Sequence, residues 1–146
     1  MPQNLIDAVL TYAYRNNKGN YIMPWDHTKY VNHSFYANTM LTPYGFEIAI
    51  KDIKPGEQIT NDYGTLNIIE SFTPIDEGHD RKMVHPNDLA TYFKFWDAEI
   101  DASLPLVINL QQPLKAFATD VQWNDIENIV SGKSLKRSIL TCLYNE

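Results

Sequence analysis

Two short stretches hold the residues best suited to chemistry. Asn32, His33, Ser34 and Asn38 lie in one run, Tyr30-Val31-Asn32-His33-Ser34-Phe35-Tyr36-Ala37-Asn38. The second run, Ala49 to Gly64, ends in Asp62-Tyr63-Gly64. An amide, an imidazole and a phenol are hydrogen-bonding groups that orient a ligand or a neutral amine. Other chemistries fit poorly. The four histidines, His27, His33, His79 and His85, include no pair at helical i, i+4 spacing, so the zinc-hydrolase pattern is missing. No metal site is expected. There is no phosphate-binding glycine loop and no dinucleotide fingerprint. Read alone, Asn32 is equally a turn residue bonding its own backbone, and Tyr63 is equally a core tyrosine closing a strand.

Taken together and in this order, the runs resemble the SET domain, the fold of S-adenosylmethionine-dependent protein-lysine methyltransferases. The first matches that family's Asn-His-Ser-Cys-x-x-Asn, with Phe35 in place of Cys. The second matches its strand, Pro/Gly turn, strand and Asp-Tyr-Gly ending. Trp25-Asp26-His27 followed by Tyr30-Val31-Asn32-His33-Ser34 is similar to small bacterial members with a helical tail. The resemblance implies a catalytic Tyr63 that orients the lysine amine. It implies S-adenosylmethionine contacts from Tyr30, Asn32 and His33, and closure of the pocket by Phe93 or Trp96. Tyr21, Trp25, Tyr36 and Tyr44 are candidates for channel lining, with core packing the commoner role. The substrate would be a lysine of another protein, whose amine must be neutral to accept a methyl group. Desolvation in a narrow aromatic channel lowers a lysine pKa in the required direction.

The elements that must position these groups follow from local pattern. Asn4 to Tyr14 reads as a short helix with Leu5, Ile6, Val9 and Leu10 on one face. Tyr21 to Trp25 is a short β segment, confined by Pro24 to an edge or an end. Residues 46–50 and 58–63 read as strands joined by Lys54-Pro55-Gly56-Glu57, a type II turn signature. From about residue 68 the chain turns helical. One helix runs from Pro86-Asn87-Asp88 to about Asp101 with Leu89, Tyr92, Phe93 and Trp96 on one face. A second covers Trp123 to Val130 and stops near Gly132. A third is capped by Ser134, with Leu135, Ile139, Cys142 and Leu143 inward. The expected class is α+β: a β-clip core of SET type over residues 1–67, matching the C-terminal half of that domain, and a helical extension over 68–146 packed on it.

None of the six glycines is separated from another by a single residue. The Gly-x-Gly segment that opens a full SET domain, and cradles the methionine end of the cofactor, therefore has no counterpart. The expectation is a truncated or fragmentary domain that binds S-adenosylmethionine weakly or not at all. Unpaired strand edges would then favour a homo-oligomer. A non-catalytic SET-like interaction module is the alternative reading. Cys142 is the only cysteine, which excludes an intrachain disulfide and the multi-cysteine zinc cluster of many SET enzymes. A net charge of -6 argues against a nucleic-acid partner. The sequence shows neither a signal peptide nor a membrane span, so the expected compartment is the cytoplasm.

Overall fold

The computed structural model describes residues 2–24 and 26–145. The elements, in chain order, are α1 (Gln3–Tyr12), β1 (Tyr14–Arg15), β2 (Tyr21–Ile22), β3 (Asn32–His33), β4 (Thr39–Leu41), β5 (Glu47–Ala49), β6 (Thr60–Asn61), α2 (Asp88–Asn109) and α3 (Asp120–Val130). Single 3-10 turns at His27–Tyr30, Tyr63–Thr65, Lys115–Phe117 and Ile139–Cys142 join them. The mixture of helix and small sheets makes the chain α+β.

β1 and β2 form an antiparallel hairpin, Tyr14 opposite Ile22. The other four strands form one sheet in the order β3-β6-β4-β5. β6 therefore lies between two strands that precede it in sequence, parallel to both. Residues 34–38 cross over it to join β3 to β4. Asn38 fixes the crossing. Its side-chain amide donates to the Gln58 carbonyl at 2.8 Å, and its side-chain oxygen accepts from Thr60 N–H at 2.9 Å. Backbone bonds from Ser34 N–H to Asn61 and from Asn38 N–H to Thr60 complete the clamp. The Lys54–Glu57 turn closes as its composition predicts: Glu57 N–H donates to Lys54, and Gly56 adopts φ +87°.

Met40 and Ile48 face each other across β4 and β5 and point into the core. That core is shared with the back half of the chain: Leu89, Trp96, Ile100 and Leu104 of α2, Ile126 and Ile129 of α3, and Ile139. α2 is the main prop of the sheet and of the 3-10 turn that carries Tyr63. It runs eight residues past the expected end, through Pro105. Proline inside a helix costs about 3 kcal/mol. Burial of Leu104, with Val107 and Ile108 packed on the core, offsets that at about 1.5–3 kcal/mol for each fully buried side chain. α3 begins earlier than Trp123 because Thr119 and Gln122 form a reciprocal capping box.

One expectation is corrected. The third helix does not form: Leu135 is 92% exposed, and only Ile139–Cys142 turns, capped by Ser138 rather than Ser134. Tertiary acceptors take the donors a helix would need. Arg137 N–H donates to the Tyr44 hydroxyl, and Ile139 N–H donates to Asp97 of α2. α1 forms as expected, with none of its residues fully buried and Leu5 and Leu10 both about half exposed. No helix among the described residues is long and apolar enough to cross a membrane.

Gly64 has a packing reason. A Cβ there would lie 2.6 Å from an Arg81 guanidinium nitrogen and 3.0 Å from the Trp96 ring. Gly64→Ala is expected to lower stability by about 1–3 kcal/mol, the usual cost of overpacking a filled interior. A urea midpoint equal to that of the parent protein would refute this placement.

Candidate functional site

The crossing loop and β6 bring the two sequence motifs into direct contact. Asn32 pairs with Thr60 and His33 with Asn61. The chain after Asn61 then turns sharply. Asp62 caps the turn by accepting from Gly64 N–H at 2.9 Å. The turn aims Tyr63 back at β3. Its N–H donates to His33 Nδ1 at 3.1 Å, and its hydroxyl donates to the Val31 carbonyl at 2.6 Å. Tyr63 is thus held at both ends by the Asn-His-Ser segment.

His33 is neutral by geometry. Nδ1 accepts from a backbone N–H, so the ring proton sits on Nε2. Nε2 is buried and has no hydrogen-bond partner among the described residues. The rings of Phe35, Tyr63 and Phe72 stand around the imidazole at 4.6, 5.5 and 5.7 Å between centroids. Burial pushes its pKa below the usual histidine value. The carboxylates of Asp62 and Glu77 pull the other way without reversing the shift. Burial also pushes the Tyr63 phenol above its usual value, and Glu47 on β5 adds to that. The same two causes, in the same order, raise Tyr14. Tyr14, Glu47 and Tyr63 therefore share one electrostatic neighbourhood.

The other sequence candidates fall in different places. Asn32 is exposed, and its side chain makes no hydrogen bond among the described residues. Tyr30 exposes 59% of its surface and meets Tyr12 edge to face. Trp96 is 1% exposed, in the core beneath Gly64. Phe93 packs on the core from its margin. No ring contact or hydrogen bond joins Phe93 or Trp96 to Tyr30, Asn32 or His33 among the described residues. Tyr44 is core, Tyr21 and Tyr36 are about half exposed, and Trp25 lies outside the described residues.

Several supporting residues are not among the site candidates named from the sequence. Glu77 accepts from the Ser34 hydroxyl at 2.7 Å and from Phe35 N–H at 2.8 Å, tying the 76–81 segment to the crossing loop. His79 stacks on Phe35. Arg81 bridges the carboxylates of Asp62 and Asp88, with all three side chains largely buried. Its guanidinium also lies over the rings of Phe35 and Tyr92. The acid in Asp-Tyr-Gly predicts a basic partner, but nothing in the sequence says which one.

The inserted parallel strand, the tyrosine anchored beneath the crossing loop and the aromatic surround form one candidate site in a chain of mixed architecture. Residues 3–64 match the family model of the SET domain. The match starts at Gln3, ahead of both motifs, and ends at Gly64, so the tail that supplies Glu77, Arg81 and α2 lies beyond it. No curated protein and no solved structure matches the chain.

The depressed His33 pKa fixes a sign for acid stability. Above about pH 6.5 the ring is neutral whether the chain is folded or not. As pH falls through that value, the unfolded chain takes up the proton first, and stability is lost down to the folded pKa. Between about pH 7 and pH 5.5, His33→Gln should show a shallower fall of unfolding free energy than the parent. Parallel slopes in urea titrations would refute the buried neutral imidazole.

Proposed function

We propose that the chain is a protein-lysine N-methyltransferase using S-adenosylmethionine. One observation carries this reading: within the segment matched to the SET domain, Tyr63 is pinned against Val31 and His33 by the inserted strand. The residues present suit the cofactor. Asn32 offers an uncommitted amide, and Tyr30 offers an exposed ring for an adenine or its ribose. The Tyr63 and Val31 oxygens, 2.6 Å apart, concentrate negative potential at one point. Methyl hydrogens next to a sulfonium are favourable partners for such oxygens.

S-adenosylmethionine supplies a methyl whose bond to sulfur breaks as its bond to the lysine nitrogen forms, the amine proton passing to solvent. The work of this chain is positioning, because an in-line displacement gains most from held geometry. Tyr63 orients the amine through its phenol oxygen. Partial burial of Tyr63 and Tyr14 provides a low-dielectric wall that favours the neutral amine. Glu47 supplies the negative charge that draws a cationic side chain toward that wall. Asn32, His33 and Tyr30 hold the cofactor side. Phe93 and Trp96 lie apart from these groups, and Trp96 acts only as the packing beneath Gly64 that supports the Tyr63 turn.

Backbone amide spectra test this. At about 5 mM S-adenosylmethionine, a concentration that registers even millimolar affinity, shifts should concentrate at residues 30–38 and 60–65. Tyr63→Phe should keep those shifts while cutting methyl transfer to a lysine peptide at least a hundredfold, in the ordinary range for loss of a positioned proton-handling group. No shift in either segment, or transfer unchanged by Tyr63→Phe, would overturn the proposal.

A further inference from the structure

A cavity of about 180 Å³ opens between the crossing loop and α2. Phe35, Tyr36, His79, Phe95 and Trp96 line it, five rings from three separate parts of the chain. Tyr36 and Phe95 stand at its mouth, exposed by 54% and 62%, while Trp96 forms its floor. Large aromatics this exposed around a concavity invite a ligand.

The ring faces, rather than the net charge of the lining, give the ligand's sign. Asp62, Glu99 and Lys51 also line the cavity. Asp62 is committed to Arg81, and the Lys51 ammonium is held by the Tyr36 carbonyl at 3.0 Å. Glu99 is half-buried, and its carboxylate has no ion pair or hydrogen bond among the described residues. The aromatic set already accepts a cation on its inner side, where the Arg81 guanidinium lies 4.6 Å from the Phe35 centroid and 5.6 Å from that of Trp96. Ring faces with one free carboxylate suit a positive group. They suit a primary ammonium less well, because its three donors need acceptors the lining scarcely offers. A quaternary ammonium has no donors to satisfy, and its methyl groups fill the space between rings.

We propose that this cavity is a binding site for a quaternary alkylammonium, of the kind a fully methylated lysine side chain carries. The proposal stands apart from the transferase reading and uses none of the groups around the Tyr63 hydroxyl. Were both true, one face of the crossing loop would make a methylated lysine and the other would hold one.

The probe is Nα-acetyl-Nε,Nε,Nε-trimethyllysine amide, with its neutral isostere in which carbon replaces the quaternary nitrogen. Ring currents in the cavity should move the probe's methyl proton signal upfield in a saturable way, and the isostere should bind about tenfold more weakly. Phe95→Ala and Glu99→Gln should each weaken binding about three- to tenfold with circular dichroism unchanged, since both side chains lie at the cavity rather than in the core. S-adenosylhomocysteine should not compete. Equal affinity for probe and isostere would overturn the proposal. So would the absence of saturable shifts, binding untouched by Phe95→Ala, competition by S-adenosylhomocysteine, or loss of probe binding in Tyr63→Phe. Failure here leaves amide shifts at residues 30–38 and 60–65 as the separate measure of the cofactor reading.

Discussion

Arg81 between Asp62 and Asp88 is the interaction on which the other parts depend. Three charges are taken out of water together, which repays its desolvation cost only when geometry is good and the remaining donors and acceptors are met. Here most of them are. Asp62 also accepts from Gly64 N–H, and Asp88 accepts from His85 N–H at the start of α2. The guanidinium plane rests on aromatic faces, which a lysine ammonium could not match in shape. Arg81 Nε alone goes unpartnered among the described residues. The triad joins three things: the turn that aims Tyr63, the loop that carries Phe35, and the helix that fills the core. Removing the arginine would strand two buried carboxylates, a change in the class that costs about 3–5 kcal/mol.

The tail is therefore part of the site's support rather than an appendage. Many SET enzymes brace the region after Asp-Tyr-Gly with a cysteine-bound zinc, and one cysteine cannot do that. In this chain the bracing is an ion triad, a bidentate carboxylate at Glu77 and stacked rings at Phe35 and His79. Phe35, which stands where the family pattern has cysteine, takes its place in that arrangement. The larger side chain is the surface on which Arg81 and His79 rest.

What the sequence disclosed and what it hid divide along a physical line. The motifs, the Pro55-Gly56 turn, the shift from strand to helix and the existence of α2 and α3 were legible because each is a local signal. The pairing of residues 32–33 with 60–61 had no local signal, since no periodicity encodes an inserted strand. Arg81, Glu77 and Glu47 were not legible, because a charged residue in a loop looks the same whether it is solvated or buried on a distant partner. The third helix failed for a related reason: Ser134 has the right type for a cap, but Asp97 and Tyr44 competed for the backbone donors nearby. α1 was legible as a helix from its apolar stripe, of which Ile6 and Val9 are partly covered and Leu5 and Leu10 exposed.

The place of β6 also constrains how the chain can assemble. β3 and β4 are close neighbours in sequence yet cannot bond to each other, because the slot between them belongs to a strand made later. Until residues 42–59 have gone out and returned, that slot has two unsatisfied edges and nothing local to fill it. Its closure is a long-range event that must bear loop entropy before any ladder bond rewards it. Tyr63 follows directly on the entering strand, so the site is assembled in the same step that completes the sheet. A chain that has not seated β6 does not bring Tyr63 against Val31 and His33.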